Sequence, residues 1–286
     1  MLGCRGDRAG QPVAGPRAHR GVRGNAAPRR TESIAFHDLQ QGGRTRDLPY
    51  YRELARRADS TLELGAGTGR VALELAALTD LWANDLDEQL MEELVGRAKA
   101  RGLTVTPVLG DATELDLGRR FDLVLAPIGF AQIVGGQCTR QALLRVIARH
   151  LAVTGLAVVA IVDVDEVLRE CATPAARQRL RARGRTFICQ QLAATETEGG
   201  AQVIWKRGVY RRTAGRLTGR PVEPAVLTYH RVSPEDLAAD ARASGLHAAH
   251  VHHDPGDATS LSTTYCVLHQ WRGRSDAPSR EGAAED

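Results

Sequence analysis

The residues of this sequence best suited to bind a ligand are three glycines at alternate positions, Gly65, Gly67 and Gly69. They directly follow the short apolar segment 61–64 and precede a run of helical character at 71–78. Glycine tolerates positive φ angles, and a ligand can approach its backbone closely because no Cβ atom stands in the way. The turn is therefore predicted to cradle a nucleotide-type ligand.

Two common nucleotide classes do not match this turn. The fingerprint for NAD or FAD needs a third glycine three residues after the second, and Arg70 occupies that position. A nucleoside triphosphate site would need Gly-Lys-Ser or Gly-Lys-Thr at the P-loop spacing, and neither follows. An NAD-dependent reductase is further opposed by the absence of a Tyr-x-x-x-Lys pair.

Two later apolar segments each end in a carboxylate. Asp85 ends the segment 81–85, and Asp111 ends the segment 108–111. A carboxylate that closes the second strand of such a fold can accept two hydrogen bonds from the vicinal hydroxyls of a ribose. The spacing of the glycine turn and Asp85 thus indicates a ligand that contains a nucleoside.

Together these patterns resemble the class I S-adenosylmethionine-dependent methyltransferases, of the type that acts on small molecules. Glu63 and the three glycines are similar to motif I of that family, which holds the amino acid end of the cofactor. Residues 110–112 resemble its Gly-Asp-Ala segment, 121–127 its fourth strand, and 151–162 the turn and fifth strand. The resemblance covers residues 32–165 and, more weakly, 229–271.

The resemblance implies S-adenosyl-L-methionine as the cofactor, with Asp85 on the ribose, Leu86 against the adenine face and Asp111 facing the adenine amino group. An aromatic residue before the first strand, Tyr50 or Tyr51, would close over the cofactor. The implied cofactor-binding residues are Glu63, Gly65, Ala66, Gly67, Thr68, Gly69, Asp85, Leu86, Asp111, Ala112, Ala126 and Tyr51.

Strands and helices alternate over residues 61–162, which predicts right-handed βαβ crossovers and a parallel sheet with its ligand at the carboxyl ends of the strands. The fold class is α/β, and the resemblance implies a Rossmann-like, doubly wound, mostly parallel seven-stranded sheet with an antiparallel last strand. β-rich segments at 186–197, 201–212 and 225–232, the first two joined by a hairpin turn at 198–200, predict a small antiparallel β lid after strand five.

The predicted organisation has five parts along the chain. They are a disordered basic leader (1–30), the cofactor-binding core (31–183), the β-rich lid or substrate insertion (184–232), a C-terminal helix with the last two core strands (233–272) and a disordered tail (273–286).

Helices are predicted at 33–43, 44–58 and 165–183, and a further helix begins after Ser233 and ends at Gly245. Asp47 is expected to cap the second of these helices, with Pro49 in its first turn. The last strands are expected at 246–251 and 263–271.

Composition adds few functional constraints. The net charge of +4 arises in the leader, where residues 1–30 contain seven Arg and one acidic residue, so no nucleic-acid groove is expected on the folded part. No apolar run approaches the length of a membrane span. Five cysteines without a C-x-x-C pair favour a reducing cytoplasm and no zinc site. The histidines at 247, 250, 252 and 253 are interpreted as strand-end residues and not as metal ligands.

Methyl transfer is an in-line displacement on a sulfonium, so the protein needs mainly to align donor and acceptor and to exclude water. An amine acceptor needs only its neutral form, whereas a hydroxyl usually needs a base. The candidate catalytic residues are His230 as a base, Tyr229, and Gln132 as a hydrogen-bonding partner of the acceptor. Alternation along the strand leaves open whether Tyr229 or His230 faces inward.

Residues 126–132 differ from the Asn-Pro-Pro-Tyr type of motif that acts on adenine and glutamine amides, so an acceptor in nucleic acid is not expected. The predicted function is methyl transfer to nitrogen, slightly preferred, or to oxygen of a small-molecule acceptor, such as a natural-product biosynthetic intermediate, by a monomer or homodimer. The alternatives are a protein or peptide methyltransferase and a non-catalytic S-adenosylmethionine-binding protein.

Overall fold

The computed structural model describes residues 30–41, 44–170, 177–182, 184–213, 216–256 and 262–271. The predictions of a disordered leader and tail therefore lie outside the described residues, apart from Arg30, with which the first helix begins. Among the described residues no helix is both long and apolar enough to cross a membrane.

The described chain forms eleven strands and eight helices. The strands are β1 (Ser60–Leu64), β2 (Asp80–Asp85), β3 (Thr106–Leu109), β4 (Phe121–Ala126), β5 (Leu151–Val162), β6 (Gln178–Ala182), β7 (Arg185–Thr197), β8 (Gly200–Thr213), β9 (Arg216–His230), β10 (Leu246–Asp254) and β11 (Thr263–Gln270). The helices are α1 (Arg30–Gln41), α2 (Leu48–Ala55), α3 (Ala72–Leu75), α4 (Glu88–Ala100), α5 (Phe130–Ile133), α6 (Gln137–His150), α7 (Val164–Glu170) and α8 (Pro234–Ala243).

Seven strands form the larger sheet in the order β10-β11-β5-β4-β1-β2-β3. β1 to β5 pair in parallel, and β11 is antiparallel to both of its neighbours, β5 and β10. The predicted Rossmann-like fold is confirmed. All five residues of β1 are buried, as expected for a central strand covered on both faces. The strand order reverses between β1 and β4, so the crevice for a ligand is expected at the carboxyl ends of these two strands.

The remaining four strands form a separate antiparallel sheet in the order β6-β7-β8-β9. The hairpin predicted at 198–200 is present, because Thr197 pairs with Gly200. β9 begins at Arg216, nine residues before the strand predicted at 225. The sheet packs on α1, where the rings of Phe36 and Phe187 meet edge to face with centroids 6.0 Å apart.

Two sequence predictions about helices are wrong. The helix expected at 165–183 ends at Glu170 in α7, and residues 178–182 form β6, in which Leu180 pairs with Phe187. In β6 apolar and polar residues alternate, a period of two that favours a strand. Asp47 makes no capping bond to α2, because its carboxylate binds the guanidinium of Arg70 instead.

A buried ion pair joins α6 to α8. The Arg140 guanidinium donates from Nε to Asp240 Oδ2 over 2.8 Å, and the two side chains are only 6% and 2% exposed. Gln137 and Gln141 donate to the other oxygen of Asp240. Burial raises the pKa of Asp240, but the bonds from Gln141, Gln137 and Arg140 outweigh this effect and hold the pKa below its usual value.

Replacement of Asp240 by Ala is expected to lower the free energy of unfolding by about 3–5 kcal/mol, because it leaves the Arg140 cation buried without its partner. Urea denaturation followed by circular dichroism measures the change. Asp165→Ala is the matched control, since Asp165 pairs with Arg231 at an exposed position and should change stability by about 1 kcal/mol or less. Equal effects of the two substitutions would contradict this account.

Candidate active site

The ends of β1, β2 and β3 are tied together at the carboxyl edge of the sheet. The amide of Gly67 donates to Asp85 Oδ2 over 2.8 Å, and the amide of Ala66 donates to the carbonyl of Asn84 over 2.8 Å. Gly110 donates its amide to the carbonyl of Asp85 over 3.1 Å. The glycine turn, Asp85 and the loop after β3 therefore form one rigid rim.

The glycine turn requires glycine for two reasons. Gly65, Gly67 and Gly69 have φ angles of 72°, 55° and 94°, which other residues rarely adopt. A Cβ atom on Gly65 would lie 2.4 Å from the Phe130 ring, and one on Gly67 would lie 2.5 Å from the His37 ring. Side chains from α5 and α1 thus cover the turn in close contact with its backbone.

The side chain of Asn84 sets the position of the loop after β3. Asn84 is 1% exposed, and its amide donates to the carbonyls of Val108 and Gly110 over 3.0 and 2.8 Å.

Next along this rim, Leu86 is 61% exposed, an unusual state for a leucine at the end of a buried strand. Asp111 accepts bonds from the amide and hydroxyl of Thr113 through Oδ1. Ala112 and Ala126 are buried beside these groups.

A buried polar cluster is linked electrostatically to Glu63, the residue two positions before the turn. Arg70 donates to both carboxylate oxygens of Asp47 over 2.7 Å, and both side chains are largely buried. Glu63 is 2% exposed, and burial raises its pKa to about 8 in spite of the nearby Arg70 cation. Among the described residues Glu63 Oε2 and the Tyr51 hydroxyl have no hydrogen-bond partner.

These features fit the cofactor that the sequence implies. A glycine cradle, the Asp85 carboxylate and exposed Leu86 offer the backbone contacts, ribose acceptor and apolar surface that a nucleoside with an amino acid tail needs. The unpartnered oxygen of Glu63 provides an acceptor for a cationic group. The Tyr51 ring is completely buried against Tyr265, and its contact with the cofactor stays a prediction.

The three predicted catalytic residues lie on or against β9. Tyr229 is 6% exposed and belongs to an apolar cluster that includes Phe36 of α1. Its ring lies next to Gly129, where it would contact a Cβ atom added at that position. His230 is half-buried, and burial together with the Arg140 charge lowers its pKa. Tyr229 therefore faces inward at the end of β9.

Gln132 has a structural position that disfavours the predicted contact with an acceptor. Its amide nitrogen donates to the carbonyls of Val162 and His230, its oxygen accepts from the amide of Val162, and the residue is fully buried. The side chain thereby joins α5 to the ends of β5 and β9. Ile128 lies in the turn between β4 and α5 and has a φ angle of 44°, a strained value for a β-branched residue. This turn directs Phe130 toward Gly65.

Sequence reasoning did not select His37 or Phe130 as site residues. Burial lowers the pKa of His37, although the charges of Asp85 and Asp38 act in the opposite direction. Thr68 donates its hydroxyl to Asp38 over 2.8 Å and lies 3.3 Å from His37 Nδ1. The signal available in the sequence was the segment 36–38 before the first strand, but nothing local to it shows that it reaches the turn.

The histidines of β10 are dispersed along the strand. His252 stacks on Tyr265, His253 lies 3.2 Å from the Thr264 hydroxyl, and His247 contacts Trp271. Over the described ranges, no group of three or more potential metal ligands is found.

Comparison with known proteins agrees with the fold. Residues 61–155 match the family model described as a methyltransferase domain. No curated protein matches the chain. The matched region spans β1 to the start of β5 and contains the glycine turn, Asp85 and Asp111.

Solved structures share the fold across almost their whole length. The sugar N-methyltransferase KedS8 from Streptoalloteichus has 19% identity and a TM-score of 0.62, with 91% of this chain and 100% of that chain covered. The amino pentose methyltransferase CalS10 from Micromonospora echinaspora, with S-adenosylmethionine bound, has 18% identity and a TM-score of 0.62, covering 82% and 96%. The methyltransferase CcbJ from Streptomyces caelestis has 23% identity and a TM-score of 0.57, covering 82% and 95%.

The chain therefore contains a methyltransferase domain in a Rossmann-like fold. This domain match agrees with the class predicted from the sequence, an S-adenosylmethionine-dependent methyltransferase.

Replacement of Gly67 by Ala is expected to weaken the binding of S-adenosylhomocysteine roughly tenfold or more, because strain at such a position is of order 1–3 kcal/mol and a Cβ would displace His37. Isothermal titration calorimetry measures the affinity. Gly96→Ala is the control, since a Cβ there meets no atom within 4 Å. That helical substitution should leave affinity unchanged and raise stability by about 0.5–1 kcal/mol. Unchanged affinity in Gly67→Ala would refute the role of the turn.

Proposed function

We propose that this protein transfers the methyl group of S-adenosyl-L-methionine to a nitrogen atom of a small-molecule acceptor. The observation that carries the proposal is the 2.8 Å hydrogen bond from the Gly67 amide to Asp85, which fixes the glycine turn and the ribose-type carboxylate in one rim. Both parts of this rim are intact, which favours an enzyme over a protein that has lost turnover.

The cofactor would supply an electrophilic methyl group on sulfur, and the residues of the rim would position it. In this proposal Asp85 accepts hydrogen bonds from the ribose hydroxyls, Leu86 covers one face of the base, and Asp111 lies toward its amino group. The turn from Gly65 to Gly69 contacts the amino acid end. His37 and Phe130 pack against that turn and would exclude water from it.

Glu63 is proposed to stabilise the ammonium group of the cofactor. With a pKa of about 8, its carboxyl group is mainly protonated at pH 7 in the free protein. A cation close to a buried carboxyl favours its ionised form and lowers its pKa. Binding of the cofactor would therefore release a proton from Glu63.

Calorimetric titration with S-adenosylhomocysteine at pH 7, repeated in buffers of different ionisation enthalpy, is expected to show this release. The release should become smaller as the pH rises above 8, because Glu63 is then already ionised in the free protein. Glu63→Gln should bind more weakly and lose the release attributed to Glu63. If Glu63→Gln releases protons as the parent does, Glu63 does not carry this role.

Nitrogen is preferred over oxygen because an amine acceptor attacks through its own lone pair and needs no base to form the nucleophile. Burial and the charge of Arg140 lower the pKa of His230 and make it a weaker base. His37 is closer to the turn, and its lowered pKa keeps it neutral at pH 7, so it adds no charge that would repel an incoming amine or sulfonium. Two of the solved neighbours are described as a sugar N-methyltransferase and an amino pentose methyltransferase, which supports an amino-bearing small molecule.

The acceptor is proposed to lie between the carboxyl edge of the larger sheet and the second sheet, with Tyr229 facing it. Tyr229 is the predicted catalytic residue that packs beside Gly129, in the turn directly after β4. A small-molecule acceptor, as opposed to nucleic acid, remains part of the proposal, as does a monomeric or homodimeric state.

Incubation with labelled S-adenosylmethionine and a library of amines and alcohols, analysed by mass spectrometry, is expected to show methylated amines. The rate should rise with pH through the pKa of the acceptor amine. Asp85→Ala should lose at least about tenfold in cofactor affinity, because each charge-assisted bond contributes roughly 1.5–3 kcal/mol.

Asp80→Ala is the matched control, because Asp80 lies at the opposite end of the same strand and pairs at the surface with Arg119. It should retain full affinity and activity. Methylation of alcohols in preference to amines would refute the preferred acceptor atom, and equal affinities of the two variants would refute the cofactor site.

A further inference from the structure

One end of the second sheet presents arginines toward α1. In β8 and β9 Arg211 pairs with Thr218 and Val209 pairs with Arg220, while Phe187 of β7 pairs with Val209. Because side chains alternate along a strand, Arg185, Arg211 and Arg220 share a face with Phe187 and Val209. This is the face that packs on α1, since Phe187 contacts Phe36.

The charges on this face are not balanced. Glu32 of α1 is 2% exposed and accepts bonds from Arg220 Nη2 at 2.8 and 3.1 Å, with Arg185 at 3.5 Å. Within the described part of the chain Arg211 has no acidic partner, and Arg220 Nη1 is buried without a hydrogen-bond partner. Three guanidinium groups thus surround one carboxylate, although like charges at neighbouring positions of paired strands are destabilising.

Two clefts of about 380 Å³ each open on this face, and Arg185 and Arg211 line both of them. The first is further lined by Asp38, Glu93 and Arg97, of which Arg97 pairs with both carboxylates, and one negative charge is left over. Together with Arg185 and Arg211, the charged side chains of this cleft sum to one positive charge. The second is further lined by Glu32, Gly219 and Arg220. Each cleft can hold a group of several non-hydrogen atoms.

Helix α1 connects these clefts to the methyl-donor rim. Asp38 lines the first cleft and accepts the hydroxyl hydrogen bond of Thr68 in the glycine turn. His37, which covers Gly67, follows Glu32 by five residues, about 7–8 Å along the helix axis at ~1.5 Å per residue. A small molecule with its reactive atom near the turn could therefore reach the arginines with its far end.

We infer that Arg185, Arg211 and Arg220 form a binding site for an oxyanion group, a phosphate or a carboxylate, carried by the methyl acceptor. Arginine offers paired N–H donors that match the geometry of both groups. An anion between Arg185 and Arg211 would offset their mutual repulsion. This inference rests on the proposed function, and it adds the chemical class of the acceptor.

Calorimetric titration of the full chain with inorganic pyrophosphate and, separately, with citrate at physiological ionic strength tests the site. At least one of the two anions is expected to bind, and the tighter one shows whether phosphate or carboxylate is recognised. Arg211→Ala is expected to weaken that binding about tenfold or more. Arg185→Ala should weaken it as well, and both variants should keep their affinity for S-adenosylhomocysteine.

Arg181→Ala is the matched control, because Arg181 pairs with Thr186 and faces away from the site on the exposed side of β6. It should leave anion binding unchanged. The inference is overturned if neither anion binds, or if Arg181→Ala weakens binding as much as Arg211→Ala does. If the parent chain binds S-adenosylhomocysteine but neither anion, the inference fails and the proposed function stands. If the parent chain does not bind S-adenosylhomocysteine, the proposed function itself is refuted.

Discussion

The hydrogen bond from the Gly67 amide to the Asp85 carboxylate is the interaction on which the geometry of the site depends. It joins the turn after β1 to the end of β2, and the carbonyl of Asp85 accepts in turn from Gly110 after β3. Parallel strands bring these three loops to one edge of the sheet, but specific hydrogen bonds are needed to fix the positions of the loops relative to one another. Because Gly67 has no side chain, His37 can pack directly on the same peptide and bring α1 onto the rim.

The larger sheet and the geometry of the glycine turn were predictable because their signals are local. Glycines at alternate positions need only their own φ angles to form the turn, and Asp85 and Asp111 follow directly from the apolar strands that they end. The helix predicted to begin after Ser233 is likewise present, and Ser233 forms a capping box with Asp236, three residues away. In each case the residues that determine the structure are close in sequence.

The remaining features depend on partners that are distant in sequence. Asp47 has the sequence context of a helix cap, but Arg70 competes for its carboxylate and forms two bonds with it. Gln132 is polar and close to the active edge, yet β5 and β9 satisfy its amide completely in the interior. His37 and Phe130 reach the turn only through the packing of α1 and α5. No pattern within a single segment contains this information.

Two features of the structure run against stability, and both concern unpaired polar groups. Glu63 is buried with one oxygen unsatisfied, and the arginines of β7, β8 and β9 lie side by side on the face that also carries the apolar residues Phe187 and Val209. Folding alone would favour an apolar residue at the first position and mixed charges at the second. The two groups have opposite requirements, a cation for the carboxyl and an anion for the arginines. The proposed pair of a cationic methyl donor and an anionic acceptor would satisfy both requirements at once.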